Sequence, residues 1–455
     1  MDARLVPPHV APPRRAPIGP AFVAKFVRNP LQVIPQAVYE QDFVPYRSGR
    51  AGLAWITAPA FVKTVLLDER EKFHKLAQIR VLGPLLGKGI LTSEGADWKW
   101  QRQTAAPLFR QQELANFVPN FVRAAEDVAA RWRAMPQGAV RPIERDMTRA
   151  TFQVISTTLL PMADAQVMDA IEHSTANFQR TGAWSQLYAL ARLPRWLPQP
   201  RQRANRGAVL ALRAAVGRLL NERRASGLEP HDLMQSLMRA RDPDTGQAMN
   251  DEQLIDNLLT FYLAGHETTA KALTWTVYLL ARSPHWTAAL KDEIARVTGG
   301  AAVSAGDIER LVLVQQVLKE SMRLYPPVPM MTRQAVAEAQ LGPHSIPAGT
   351  SVVMSIYAIH RHRTRWSDPD AFDPQRFAPA KEAQIPRYQY MPFGAGPRIC
   401  IGMAFAMLEA TAMLATLLQR ARFAPLEGHE PLPVARVTLV PRGGMPLRVW
   451  TEAGG

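Results

Sequence analysis

The sequence predicts a mainly α-helical protein with small β-sheets, and three observations carry that expectation. From about Phe109 onward, Ala, Leu, Arg and Glu dominate, and apolar residues recur at three- and four-residue steps, as in Phe117, Phe121, Val128 and Trp132. One helical stretch, from Asn250 to Ser283, is far longer than the usual three or four turns and must cross the whole core. The strand-like segments are short and stand apart from the helical text: Ala51 to Ile56, Thr350 to Ile356, and Arg436 to Trp450 with a turn at Gly443-Gly444.

In chain order, residues 1–20 carry six prolines and read as an extended arm leading into the fold. Residues 21–455 show no internal repeat and no low-complexity linker, so they are expected to form one domain. The long helix opens at Asn250-Asp251-Glu252-Gln253, a cap with Gln three residues on, and stops before Pro284. A second helix is expected to open at the capping box Ser304-Ala305-Gly306-Asp307 and to end before Pro326-Pro327. A third runs from Met403 to Leu418.

Composition narrows the function classes. The 455 residues are 47% apolar and 20% charged, which excludes wholesale disorder. Cys400 is the one cysteine, so neither an intramolecular disulfide nor a Cys-rich zinc or iron–sulfur site can form. The net charge of +15 invites a nucleic-acid reading, but the basic residues are dispersed and no zinc-finger spacing or aromatic RNA-binding signature is present. The densest basic stretch, Arg192 to Arg206 around Trp196, is broken by Pro194, Pro198 and Pro200 and reads as a solvated loop or a membrane or partner contact. No apolar run reaches bilayer length and no signal peptide is visible, so the expected location is cytoplasmic with no transmembrane anchor.

The informative segment is Phe393-Gly-Ala-Gly-Pro-Arg-Ile-Cys-Ile-Gly402. Cys400 follows a Gly- and Pro-punctuated loop and precedes a helix, whose free N–H groups and dipole stabilise a thiolate. Gly394 and Gly396 let the backbone approach a flat ligand, and Arg398 can pair with a carboxylate. A buried structural cysteine would leave two glycines, a proline and a cation unexplained. With every fixed position of F-x-x-G-x-[RH]-x-C-x-G filled, the segment resembles the haem-binding loop of the cytochrome P450 family.

Further landmarks follow the family order. Glu320-Ser-Met-Arg323 resembles the E-x-x-R pair, and Arg376 the second arginine that joins it; by spacing alone the pair could be a surface ion pair. The resemblance implies a Glu320–Arg323–Arg376 network that props the cysteine loop. Trp98-Lys-Trp-Gln-Arg102 is similar to the family's W-x-x-x-R, which with Arg333 implies contacts to haem propionates. In mid-helix, Ala264-Gly-His-Glu-Thr-Thr269 breaks local rules, since Gly265 and a Thr after an acid weaken a helix. A zinc-protease H-E-x-x-H fails because Ala270 stands in the fifth position. The stretch resembles [AG]-G-x-[DE]-T, which implies that Thr268 contacts oxygen and that Glu267 passes protons to it.

The resemblance, covering about Ala51 to the C-terminus, implies a P450 fold with haem b held by Cys400, Phe393, Gly394, Gly402 and Ala264 besides the residues above. It implies a monooxygenase acting with O2 on a hydrophobic small molecule. Leu82 to Ile90, Phe261, Val328, Met330 and Met331 are expected along an apolar substrate pocket. No G-x-G-x-x-G is present, so electrons from NAD(P)H are expected only indirectly, through a ferredoxin- or flavodoxin-type donor docking on a basic face near Cys400 of a monomer. A peroxide-driven peroxygenase, a haem-binding sensor without turnover, and a helical nucleic-acid-binding protein are the alternatives.

Overall fold

The computed structural model describes residues 5–48, 51–159, 174, 181–194, 196–199, 202–230, 232–242 and 244–452. Within the basic stretch Arg192 to Arg206, Arg195, Pro200 and Arg201 lie outside the described residues, and Trp196 is 79% exposed. None of the described helices is long and apolar enough to cross a membrane.

The central helix runs from Asp251 to Ala281, some 46 Å at 1.5 Å per residue. Its start is closed by the expected capping box: the Asn250 side chain accepts from Gln253 N–H at 2.9 Å, and Gln253 Oε1 accepts from Asn250 N–H at 3.0 Å. Its C-terminal half is buried on nearly every face, from His266 to Ala281. Thr260, Thr274 and Thr276 are tolerated inside because each hydroxyl donates to the carbonyl four residues back. Ile143–Thr158, Val312–Leu324 and Met403–Arg420 pack around this helix and join the main hydrophobic core.

The sheets are small. Strands β1 (Phe43–Ser48), β2 (Ala51–Ile56), β8 (Ser351–Ser355), β5 (Met330–Ala335) and β3 (Phe73–His74) form a sheet in that order, with only the β2–β8 pair parallel. β5 presents Met330, Met331 and Arg333 from this sheet toward the space under the central helix.

Three sequence expectations need correction. The element opening at Ser304 is a 3₁₀ turn, Ala305–Arg310, and the α-helix begins only at Val312. The cause lies in another helix: the buried Glu293 carboxylate accepts from Leu313 N–H at 2.8 Å and Val314 N–H at 3.1 Å, so it caps a fresh start. Second, Arg436 to Trp450 is no hairpin. β11 (Leu439–Pro441) pairs with β10 (Pro433–Ala435), whereas β12 (Pro446–Thr451) lies between β4 (Ala139–Pro142) and β9 (Ala421–Pro425). Third, the strand from Thr350 stops at Ser355, whose hydroxyl caps the short helix Ile356–Ile359.

The proline-rich segment is extended, as its composition requires, and lies on the body of the fold. Leu5 and Val10 pack against the main core, Tyr325 Oη donates to Pro8 O at 2.7 Å, and Val10 N–H donates to Tyr357 Oη at 3.2 Å. The first helix, Gly19–Arg28, begins where this segment ends.

Candidate active site

Cys400 lies at the foot of an internal cavity of about 500 Å3. The 3₁₀ turn Gly396–Arg398 delivers it, and Cys400 N–H donates to Phe393 O at 2.9 Å. Gly396, at φ +69°, has no substitute: a Cβ there would sit 2.4 Å from Leu66 O. Gly402 caps the helix Met403–Arg420, and its N–H points at the cysteine sulfur. The cysteine is open to the cavity but lies deep in the protein. Burial therefore pushes the thiol up, against the lowering pull of the Gly402 N–H and of Arg102. The helix N-terminus alone does not ionise this cysteine; a metal would.

Across the cavity stands the central helix. Ala264 is exposed in the middle of an otherwise buried element, because it faces this space. Thr268 Oγ1 donates to Ala264 O at 2.8 Å, so its hydroxyl oxygen remains able to accept or re-pair toward the cavity. Gly265 has a packing reason: a Cβ would lie 2.7 Å from Ile155 Cδ1 on the neighbouring helix. Close contact with this helix is thus a second use for the glycine, beside the groove that the sequence pattern implies.

Glu267 is buried, and its partners were not foreseen. Lys271 Nζ lies 3.1 Å from its carboxylate and 2.8 Å from Glu144, and Thr438 Oγ1 donates to Glu267 Oε1 at 3.1 Å. Burial pushes the Glu267 carboxyl up, but Lys271, His266 and the two hydrogen bonds outweigh it and hold the group below its ordinary value. The Lys271 partner, one turn on, was available from spacing alone.

One wall carries four cations. Arg398 donates to Ser93 O at 3.0 Å, pairs with Glu94 at 2.8 Å and lies 3.9 Å over the Trp98 ring. Arg102 donates to Ile399 O at 2.9 Å, directly before the cysteine. Arg333 is buried, and Lys75, absent from the sequence reading, donates to Leu91 O at 2.6 Å. Desolvation brings Arg333 and Arg398 down to about 10; for Lys75, burial, then Arg398 and Arg333, outweigh Glu94 and bring it to about 7. Glu94 is the one carboxylate among these groups, so the wall is short of negative charge. It fits a flat cofactor carrying two carboxylates, which Lys75, Trp98, Arg102, Arg333 and Arg398 would hold.

The remaining wall is apolar. Leu82, Leu85, Leu86, Ile90, Phe261, Val328, Met330 and Met331 all line the cavity. Phe393, Gly394 and Gly402 line its foot.

The Glu320–Arg323 pair is wholly buried rather than on the surface. Glu320 receives Arg323 at 2.6 and 2.8 Å and Asp373 N–H at 2.9 Å, with Arg376 at 3.4 Å. Arg323 also donates to the carbonyls of His360, Pro369 and Ala371. Met391 N–H, at the entry to the cysteine loop, donates to His360 Nε2 at 2.9 Å. The ion network thus reaches the loop through His360, a residue the sequence did not single out.

A cysteine beneath an apolar cavity, faced by an acid–threonine pair and walled by unbalanced cations, is the arrangement that the resemblance to a haem-thiolate oxidoreductase implies. The cytochrome P450 profile matches residues 18–445. Cyclooctatin synthase from Streptomyces melanosporofaciens is 32% identical over 98% of this chain and 95% of its own length. Cyclooctat-9-en-7-ol 5-monooxygenase from the same organism is 31% identical over 88% of this chain and 86% of its own. The haem domain of cytochrome P450DA superposes with a TM-score of 0.82 at 25% identity, covering 98% of this chain and 99% of that one. The chain belongs to the cytochrome P450 family, and it is a haem enzyme of the monooxygenase class.

Proposed function

We propose that this protein inserts one atom of O2 into a hydrophobic small molecule, by hydroxylation or epoxidation, with electrons from a separate ferredoxin- or flavodoxin-type donor. The observation that carries the reading is the placement of Cys400 and the Ala264–Thr268 groove on opposite sides of one apolar cavity. When bound, the haem activates O2 and transfers an oxygen atom to substrate.

The chain's own residues orient and supply. Cys400 would hold the iron, and the Gly402 N–H steadies its sulfur. Thr268 turns its hydroxyl oxygen to the cavity while its proton rests on Ala264 O, from which it can re-pair toward the cavity, and Glu267, kept charged by Lys271, accepts and returns protons behind it. The apolar wall excludes water from the reacting atoms. Retention of the acid–threonine pair favours this reading over a peroxide-driven peroxygenase. The donor docks on the Cys400 side, where Lys99 and Arg110 are exposed on the segments flanking the loop.

The first experiment is the difference spectrum of the reduced, CO-treated protein. A red-shifted Soret band reports thiolate ligation by Cys400; a well-folded, haem-supplied sample that takes up no haem would overturn the proposal. Substrate-dependent NAD(P)H consumption with surrogate donors then separates a monooxygenase from a haem sensor. Because a relative is named for a cyclic alkenol, cyclic alkenes and alkenols open the screen.

A further inference from the structure

The cavity has a second end. It extends from Cys400 past Phe22, Phe26 and Tyr46 to the turn between β10 and β11, where Arg436 lines both this cavity and a basic pocket at the surface. The backbone at this turn is pinned from several sides. Asn29 donates to Pro433 O at 3.0 Å and accepts from Ala435 N–H at 3.1 Å; Gln186 Nε2 donates to Arg436 O at 3.0 Å; Arg436 N–H donates to Thr438 O at 2.9 Å.

The Arg436 side chain is treated differently. It is half-buried and desolvated, so its guanidinium is pulled below the ordinary value, and no acid opposes the shift. Its contacts are two long ones of 3.4 Å, to the carbonyls of Val27 and Ala435. Among the described residues it forms no ion pair, and neither do Lys25, Arg28 and Arg442 around the same surface pocket. Among the described residues, no Asp or Glu lines that pocket. An under-partnered guanidinium carried on a pinned backbone at the end of an apolar cavity costs stability unless something occupies it.

We propose that Arg436 is the anchor for an anionic end of the substrate, so that the enzyme takes amphipathic carboxylic acids whose apolar body reaches toward Cys400. This rests on the monooxygenase reading and narrows its substrate class. Lys25, Arg28 and Arg442 draw the carboxylate to the mouth, and Arg436 holds it by charge-assisted hydrogen bonds. The end distant from the carboxylate is then the part presented to the iron, so the geometry selects a position of oxidation as well as a substrate.

The test is equilibrium binding to the haem-loaded protein, read both by spin-state shift and by calorimetry. The probes are tetradecanoic and abietic acids, their methyl esters and the corresponding alcohols. At least one acid should bind more tightly than its ester and alcohol. Arg436→Gln should weaken that acid by about ten- to a hundredfold while leaving the neutral probes within about twofold, and Arg436→Lys should recover much of the loss. Equal binding of acid and ester, an acid affinity indifferent to Arg436→Gln, or failure of every acid to bind overturns the anchor. The CO difference spectrum of the same samples separates the two questions: an intact thiolate band with any of those outcomes removes the anchor alone. A wild-type protein that takes up no haem removes the reading beneath it.

Discussion

Acid should loosen this fold through His360. The ring is fully buried, stacked on Tyr390 at 5.1 Å, and uses Nε2 to accept the Met391 N–H, so it must be neutral. Burial, then the neighbouring Arg323 and Arg361, bring its pKa from 6.5 to about 3. The folded state therefore binds this proton later than the unfolded chain. The stability that this neutral ring contributes is present above about pH 6.5 and is lost progressively as pH falls toward 3. At pH 5 the unfolded ring is protonated over about 1.5 pH units that the folded ring resists, a loss of about 2 kcal/mol at 1.36 kcal/mol per unit. The assay is urea unfolding at pH 7.5, 6 and 5, followed by circular dichroism and by the haem band together. His360→Gln keeps an acceptor for Met391 N–H but cannot titrate. It should be less stable than wild type at pH 7.5, yet lose about 2 kcal/mol less on going to pH 5. His362, also lowered by burial, acts in the same direction in both proteins and cancels from the difference. Identical pH slopes for the two proteins would refute the depressed titration of His360 in the folded state.

Three other outcomes follow from the site. Thr268→Ala should uncouple electron consumption from product and release peroxide, measured as peroxide formed per NAD(P)H oxidised; unchanged coupling removes Thr268 from the proton path. Lys271→Met takes away the counter-charge of Glu267, leaving burial to push that carboxyl up. The acid limb of the turnover–pH profile should then move to higher pH, and an unmoved limb would show that Glu267 does not titrate in turnover. Turnover with an acidic ferredoxin should slow steeply between low and physiological salt, as steering of exposed charges requires; indifference to ionic strength would leave the +15 charge without that use.

What the sequence makes legible is what local chemistry makes costly. Gly396 at positive φ, Cys400 beside it, and the caps at Asn250 and Ser304 break or satisfy rules within a few residues, so each can be read in place. Lys75 could not be read this way. It is an ordinary lysine until folding sets it near Arg333 and Arg398, more than 250 residues away. The break before Val312 is hidden for the same reason, since its cap comes from Glu293 on another helix. The strands that flank β12 in its sheet, β4 and β9, both lie earlier in the chain, and a nearby glycine turn misdirects the eye toward a hairpin. His360 links Arg323 to Met391 by one backbone carbonyl and one ring nitrogen, and neither leaves a mark in residue spacing.

The same separation makes the cation wall a long-range construction. Arg102 and Arg398 each spend donors on the backbone around the cysteine loop, at Ile399 O and Ser93 O, so they hold the loop before they hold any ligand. Their remaining charge, with that of Arg333 and Lys75, is set against Glu94 alone. Buried like charges repel more strongly than exposed ones, so this wall opposes folding by itself. A cofactor with two carboxylates held there would reverse the sign of that interaction and raise the Lys75 pKa away from about 7. Any group that binds the folded chain and not the unfolded one stabilises it by mass action. The buried Glu320–Arg323 network does not line the cavity, and it reaches the loop through His360 and Met391. Stability held in one part of the fold thereby permits a strained, charge-deficient site in another.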